Sequence, residues 1–449
     1  MSSARNNAMN ARPKKTSAEL ALADAFAAAK SILPGTGDVA ARREAAFDRF
    51  ASLGLPHRRV EQWRYTDLRA MLHDAKPLAT PPDADAKARA AEAGKLFRKT
   101  DARRLVFADG TFVAALSDLA DLEPGLSVRS MADALASGDP LVIAHLGKVF
   151  PADDAAVEMN TALMGDGAVI HIAAGTAIER PLHLVFATVG DKPSAMFTRS
   201  LVVVEKGARV LLVESHDGAV GADYQVNTAL ELVVGDEACV DHVNLVDEAN
   251  DALHVASLMA SLGARAKFAD FSFIAGGAVI RNQLFVRFSG EGTVADIRGV
   301  SLLTGRQHAD VSLIADHAVG GCQSRELFKS VLDGETCGVF QGKIIVQPDA
   351  QKTDARMMSQ ALLLSEDAEA FHKPELEIFA DDVQCGHGAT TGALSDDLKF
   401  YLMARGIPAR EAEALLIEAF VGEAIEPIGH DGVRGALSDA AAAWLRARG

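Results

Sequence analysis

The chain has 449 residues, of which 49% are hydrophobic, and a formal net charge of −16. That length and apolar content argue against global disorder and allow a large core in two or three domains. The acidic balance argues against nucleic acid or an anionic membrane surface as the main partner, because both reward clustered Lys and Arg.

In chain order, residues 1–16 read as a flexible tail. They are polar and basic, with Arg5, Arg12, Lys14 and Lys15, and they lack a secretory apolar core. An organelle-targeting segment is the alternative. Residues 17–150 read as a mainly helical domain. The segment 17-SAELALADAFAAAKSIL-33 begins with a capping serine and stops at Pro34-Gly35, and 38-DVAARREAAFDRFASLG-54 stops at Gly54. The block 56-PHRRVEQWRYTDLRAML-72 continues this helical region, and residues 81–90 read as a Pro-, Asp- and Ala-rich linker. Then 104-RLVFADGTFV-113 reads as strand, Asp-Gly turn, strand, residues 127–150 as helix, and a boundary falls near Pro151.

Residues 151–392 are dominated by strands. Apolar and polar residues alternate in 200-SLVVVEKGARVLLVES-215, 229-ALELVVGDEACVDHVNLV-246 and 283-QLFVRFSGEGTVADIRGVSLL-303, each with a glycine-bearing turn in the middle. Glycines 207, 235, 263 and 290 recur at intervals of 28, 28 and 27, and Gly320 follows after 30. Such a period suits coils of two strands stacked at the ~4.8 Å strand spacing, about eight of them making a rod of ~40 Å. Antiparallel hairpins in a sandwich give the same alternation; a sandwich of this length would be large, which favours stacked coils.

Residues 393–449 return to helix. Ser395 and two acids open 395-SDDLKFYLMARG-406, Pro408 sits at the start of 409-AREAEALLIEAFVGEAI-425, and 436-ALSDAAAAWLRARG-449 ends on two arginines. Leu415, Leu416, Ala419 and Phe420 follow helical spacing and read as a face packed on the chain's own core. No run approaches the ~18 apolar residues that span a bilayer.

Several chemistries are missing. The nearest text to a phosphate-binding loop is 337-CGVFQGKII-345, with Cys337 at the first glycine position and Ile344 where a hydroxyl should hold magnesium. There is no GxSxG or HExxH. Four cysteines, at 239, 322, 337 and 385, form no CxxC pair and no disulfide framework, which fits a reducing cytoplasm. Cys322 and Cys337 read as small apolar fillers. Seven histidines of the strand region, His171, His183, His216, His242, His254, His308 and His317, each read singly as surface or satisfied core residues. A carbohydrate-active enzyme would want aromatic platforms, but the two tryptophans, Trp63 and Trp444, lie outside the strand region.

One stretch stands apart: 380-ADDVQCGHGAT-390. In extended backbone Asp381, Val383, Cys385 and His387 share a face. A thiolate and an imidazole together could reach one soft metal, but two ligands do not close a site that typically needs four. On residue chemistry alone the pair is either structural or a half-site completed by another chain.

The blocks 322-CQSRELFKSVLDGETCGVFQGKIIVQPDAQKTDARMMSQALLLS-365, 373-KPELEIFADDVQCGHGAT-390 and 398-LKFYLMARGI-407, with 58-RRVEQWRYTDL-68, resemble the SufB/SufD family of iron–sulfur cluster assembly subunits. The likeness covers most of residues 56–425. Within the family it falls on the SufD side. The segment 400-FYLMARGI-407 has no cysteine where SufB carries one, and 385-CGHG-388 stands where SufB-like chains have a Glu–His–Glu pattern.

The resemblance implies a mainly β fold, a right-handed parallel β-helix flanked by N-terminal and C-terminal helical regions. It implies a non-catalytic scaffold that pairs with SufB through the end of the β-helix, or with a second copy of itself in isolation. A transient iron–sulfur cluster would be shared with SufB, with His387 a proposed ligand and Cys385 a neighbour of less defined role. The C-terminal helices would receive the ATPase SufC, through a surface including Phe400, Tyr401, Arg405, Leu415, Leu416 and Phe420. No nucleotide would be bound by this chain.

Overall fold

The computed structural model describes residues 14–150, 153–219 and 221–448. Residues 1–13 of the expected tail and the expected boundary at Pro151 lie outside the described residues.

The strand region is a solenoid of eight coils, each with one strand in each of two sheets. One sheet carries Ala168–Ile172, Ser194–Val204, Tyr224–Val234, Leu253–Leu262, Val279–Phe288, His308–His317, Cys337–Val346 and Glu369–Ile378. The other carries Leu182–Thr188, Arg209–Gly218, Cys239–Asp247, Lys267–Ile274, Val294–Leu303, Gln323–Leu332, Asp354–Leu363 and Gln384–Gly392. No strand of these coils pairs with its successor in sequence; each pairs in parallel with the strand one coil further on. In-register stacking puts like on like: Leu230, Leu258, Leu284 and Leu313 form one buried interior column. Each buries its side chain against the coil above and below, at roughly 1.5–3 kcal/mol per leucine.

The period comes from one turn. Gly207, Glu237, Arg265, Gly292, Gly321 and Lys352 take equivalent places in six successive coils, all with φ between 53° and 72°. Each donates its N–H to a turn carbonyl of the next coil, from Gly207 to Asp236 through to Lys352 to Asp382. The next residue, Ala208, Ala238, Ala266, Thr293, Cys322 or Thr353, is small and buried, which accounts for Cys322 as a filler. The glycine series read from sequence mixes three places in this turn. Gly235, Gly263 and Gly290 precede the left-handed position by two residues, and there a Cβ would come within 2.7, 2.7 and 2.0 Å of the neighbouring coil's backbone. Gly207 is at the left-handed position itself, and Gly320 stands one residue before it, ahead of Gly321.

Helices cover both outer faces. Ala18, Leu22, Phe50, Trp63 and Met159 pack with Phe197 and Val255 on the outside of the first sheet. Ile417, Val421, Ile425, Val433 and Leu437 pack against Val243, Phe271, Phe273 and Val300 on the outside of the second. The own-core face of helix Ala409–Ile425 is Ala412, Ile417, Val421, Ala424 and Ile425, and of the expected Leu415, Leu416, Ala419 and Phe420 only Phe420 packs against that core, half-buried. Leu415 and Ala419 are exposed, and Leu416 and Phe420 half-buried. The last helix, Asp431–Ala447, starts earlier than expected, on a His430 cap that accepts from the Val433 N–H.

Other local departures have physical causes. Within residues 56–72 only Glu61–Trp63 and Leu68–Met71 are helical, because their groups bond to the solenoid instead: the Gln62 carbonyl accepts from Arg281 and Gln341. The expected linker contains the helix Ala84–Ala90, capped by Asp83. Residues 126–130 are a strand before the helices Met131–Ser137 and Pro140–His145. The Asp-Gly hairpin is present: Arg103–Ala108 pairs antiparallel with Thr111–Phe112 through Asp109 and Gly110, both with positive φ.

The two ends of the solenoid differ. At the first coil, Arg103–Ala108 hydrogen-bonds to Leu182–Thr188, and Leu126–Ser130 pairs antiparallel with Ala168–Ile172, so both edges are covered. At the last coil, Glu369–Ile378 and Gln384–Gly392 each have a partner on one side only among the described residues. Among those residues no helix is long and apolar enough to cross a membrane.

Candidate functional site

The open coil presents an edge strand in each sheet. A row of unpaired N–H and C=O groups on such an edge is a template for another chain's strand. No residue of Glu369–Ile378 or Gln384–Gly392 is fully buried, although the same positions one coil below are mostly interior.

Cys385 and His387 both lie on Gln384–Gly392. Their register partners are Ala355 and Met357, which face the solenoid interior. The two therefore share the inward face, as the alternation predicts. Asp381 and Val383 do not share that strand: both lie in the turn before it, where the carbonyl of Asp382 accepts from Lys352. Cys385 packs half-buried against the interior, while His387 is exposed. Burial pushes the Cys385 thiol up; the Ala355 backbone hydrogen bond opposes this, and Asp354 and Glu326 add to it.

Two further groups belong to this end and carry no signal in the sequence. His372, on the facing edge strand, holds Nδ1 2.7 Å from the Ser359 hydroxyl and leaves Nε2 unpartnered. Glu326 lies two coils below His387 in the same column, through Met357. It is 2% exposed, neither carboxylate oxygen has a hydrogen-bond partner, and burial pushes it up to about 8. Two coils beneath the open one, this column therefore holds a neutral acid at pH 7. Among the described residues, the only converging set of three metal-ligating side chains lies elsewhere, so Cys385 and His387 do not form a closed site within one chain.

The N-terminal block reaches this same coil. Tyr65 stacks on Phe371 with ring centres 5.1 Å apart, and Lys373 pairs with Glu61 at 2.9 Å. Deeper in, Thr66 bonds His308 at 2.9 Å and also Asp310, so this imidazole and carboxylate share a hydroxyl.

The C-terminal arm holds the other candidate residues. Helix Asp396–Met403 has no buried residue, and Phe400 and Tyr401 are 73% and 53% exposed. The Arg405 guanidinium lies 3.6 Å from the Tyr401 ring centre. Leu398, Met403 and Leu415 add further exposed apolar surface. Phe420 instead turns back toward the core, 4.3 Å beneath Lys329.

The structure is thus a parallel solenoid with a covered first coil, an open last coil and a helical arm on each face. Residues 186–420 match the SUF system FeS cluster assembly SufBD core domain, and residues 18–184 match the SufBD protein N-terminal region. The chain belongs to the SufBD family. It is 32% identical to an iron–sulfur cluster assembly SufBD family protein of Synechocystis, over 91% of this chain and 92% of that one. It is 30% identical to the iron–sulfur cluster assembly protein SufD of Escherichia coli, covering 85% and 87%. The SufD protein of Bacillus subtilis is 27% identical, covering 62% and 63%.

Proposed function

We propose that this chain is a non-catalytic scaffold subunit of a SufB–SufC–SufD complex, pairing with SufB through the open coil and contributing to a nascent-cluster site at that junction. The observation that carries the reading is the uncapped last coil with His387 exposed on its inward face. A neutral imidazole supplementing thiolates is reasonable ligation for iron–sulfur clusters, and a partner must supply the thiolates. Cys385, held as a thiol by burial, serves packing first. Alone, the same edges would pair two copies of the chain.

The exposed apolar surface around Phe400, Tyr401, Arg405 and Leu415, with Leu416 at its margin, is the docking site for SufC. Phe420 supports it from the core side. Nucleotide chemistry then belongs to SufC. Support comes from the stretch 337–345, which lies in the strand Cys337–Val346 and has no loop to cradle a phosphate. Four free cysteines fit a cytoplasmic location.

The test is His387→Ala in the complex reconstituted with SufB and SufC, followed by anaerobic addition of iron and sulfide. Loss of the cluster absorbance from an intact complex is expected. Unchanged cluster formation would remove His387 from the site.

A further inference from the structure

We infer that His216, Glu248 and His254 form a binding site for a single first-row divalent cation, of the Zn²⁺ or Fe²⁺ type, inside the solenoid and remote from the open coil. One donor atom from each of the three lies within 4.8 Å of the others. The three come from neighbouring coils at one corner. His216 is near the end of Arg209–Gly218, Glu248 is in the turn after Cys239–Asp247, and His254 opens Leu253–Leu262. Strand Arg209–Gly218 stands six strand spacings from Gln384–Gly392, or ~29 Å.

Three observations point to a cation rather than to packing. All three side chains are buried, with residue exposures of 2%, 5% and 0%. Placing a carboxylate and two imidazoles in a core is costly unless their polar atoms are satisfied. Here they are not: Nδ1 of His216 has no hydrogen-bond partner. Nδ1 of His254 lies 3.0 Å from Oε1 of Glu248 but off the line of a hydrogen bond.

The surroundings are those of a ligand set. The Tyr224 hydroxyl donates to Oε2 of Glu248, leaving Oε1 to face Nδ1 of His254. Nε2 of His254 lies 3.0 Å from the Thr228 hydroxyl, a partner that can accept from Nε2–H while the lone pair of Nδ1 holds a metal. The His216 ring is held by stacking on Phe186 at 4.8 Å and by an edge contact with His254 at 4.7 Å.

Two imidazoles and one carboxylate suit first-row divalent ions, with one or more positions left open. At metal–ligand bonds of about 2.0–2.1 Å, neighbouring ligand atoms sit ~3.3 Å apart. The Glu248–His254 edge is already near that, so closure needs His216 to swing inward by on the order of 1 Å. Next to two of the ligands in sequence, Asp217 and Asp247 line, with Arg89, Glu92 and Lys95, a surface groove of about 830 Å³ between residues 92–96 and the last helix.

The experiment uses the full chain, stripped with a chelator and titrated anaerobically with Co²⁺, then competed with Zn²⁺. One equivalent of Co²⁺ with visible d–d absorbance is expected. His216→Ala and His254→Ala should each weaken it by about 100-fold or more, and Tyr224→Phe by about 10-fold. A Cys385→Ser/His387→Ala variant should keep the equivalent, which separates this site from the open coil. No stoichiometric binding, or binding unchanged by both histidine substitutions, overturns the inference. Should the histidine variants lose their circular dichroism, Tyr224→Phe and Thr228→Val decide it: undiminished affinity in both overturns the site.

Discussion

The Arg281 guanidinium lies 3.9 Å from the ring centre of Trp63, and both side chains are fully buried. Arg281 also pairs with Asp310 and donates to the Gln62 carbonyl at 2.7 Å, while the Trp63 indole N–H donates to Asp154 at 2.8 Å. One guanidinium thus joins the N-terminal block to two coils of the solenoid.

Removing Arg281 would strand the Asp310 carboxylate in the core. Arg281→Ala is expected to cost about 3–5 kcal/mol, read as a fall in denaturant midpoint. Limited proteolysis should then cut within residues 56–72 first. If Arg281→Ala leaves both readouts at wild-type values, the N-terminal block is held by other contacts.

The docking proposal for the C-terminal arm calls for surface changes rather than truncation. Deleting residues 393–449 is expected to abolish SufC binding, but it also uncovers Phe271, Phe273 and Val300, so loss alone would be ambiguous. Phe400→Asp with Leu415→Asp touches only exposed side chains and should move the melting temperature by little. Binding to SufC should fall at least tenfold. Undiminished binding in this folded variant would place the docking surface elsewhere.

Glu326 makes stability depend on pH in a definite direction. Its folded-state pKa, about 8, lies above the ordinary carboxylate value. The folded chain therefore holds a proton that the unfolded chain releases between about pH 4.5 and 8. This contribution to stability is complete below that window and is lost as pH rises through 8. Glu326→Gln should remove the loss, so that the variant gains roughly 3–5 kcal/mol relative to wild type above pH 8 and nothing at pH 4. Parallel urea melts of the two proteins across that range would check it; a pH-independent difference would show that Glu326 stays ionised.

Lys352 sits in the left-handed turn position with φ of 63°, where glycine is at ease. Lys352→Gly is expected to stabilise by about 0.5–1 kcal/mol, since the Asp382 ion pair it loses is exposed and worth little. A destabilised variant would mean that the ion pair outweighs the backbone strain.

Much of this was legible in the residues. Alternation in 200–215, 229–246 and 283–303 located strands that are present, and the spacing of the turns gave the coils. What alternation cannot give is the partner of each strand, because a hairpin and a coil read alike until hydrogen bonds are drawn. Composition also misread 56–72: Trp63, Thr66 and the Gln62 carbonyl answer to groups more than ninety positions away along the chain, and local propensity is blind to them. Cys385 and His387 could be paired by eye because two residues on one strand share a face. His216, Glu248 and His254 could not, since only the stacking of separate coils brings them together.

The sealed first coil has a consequence for association. A solenoid with two bare termini could polymerise head to tail into a fibre, each molecule templating the next. With Arg103–Ala108 and Leu126–Ser130 crossing one terminus, the edges left there among the described residues are strands of two and five residues, whereas the last coil offers strands of ten and nine, so strand addition favours that face and two such chains meeting nose to nose use it up. The N-terminal strands thereby disfavour fibre growth from a naturally sticky architecture.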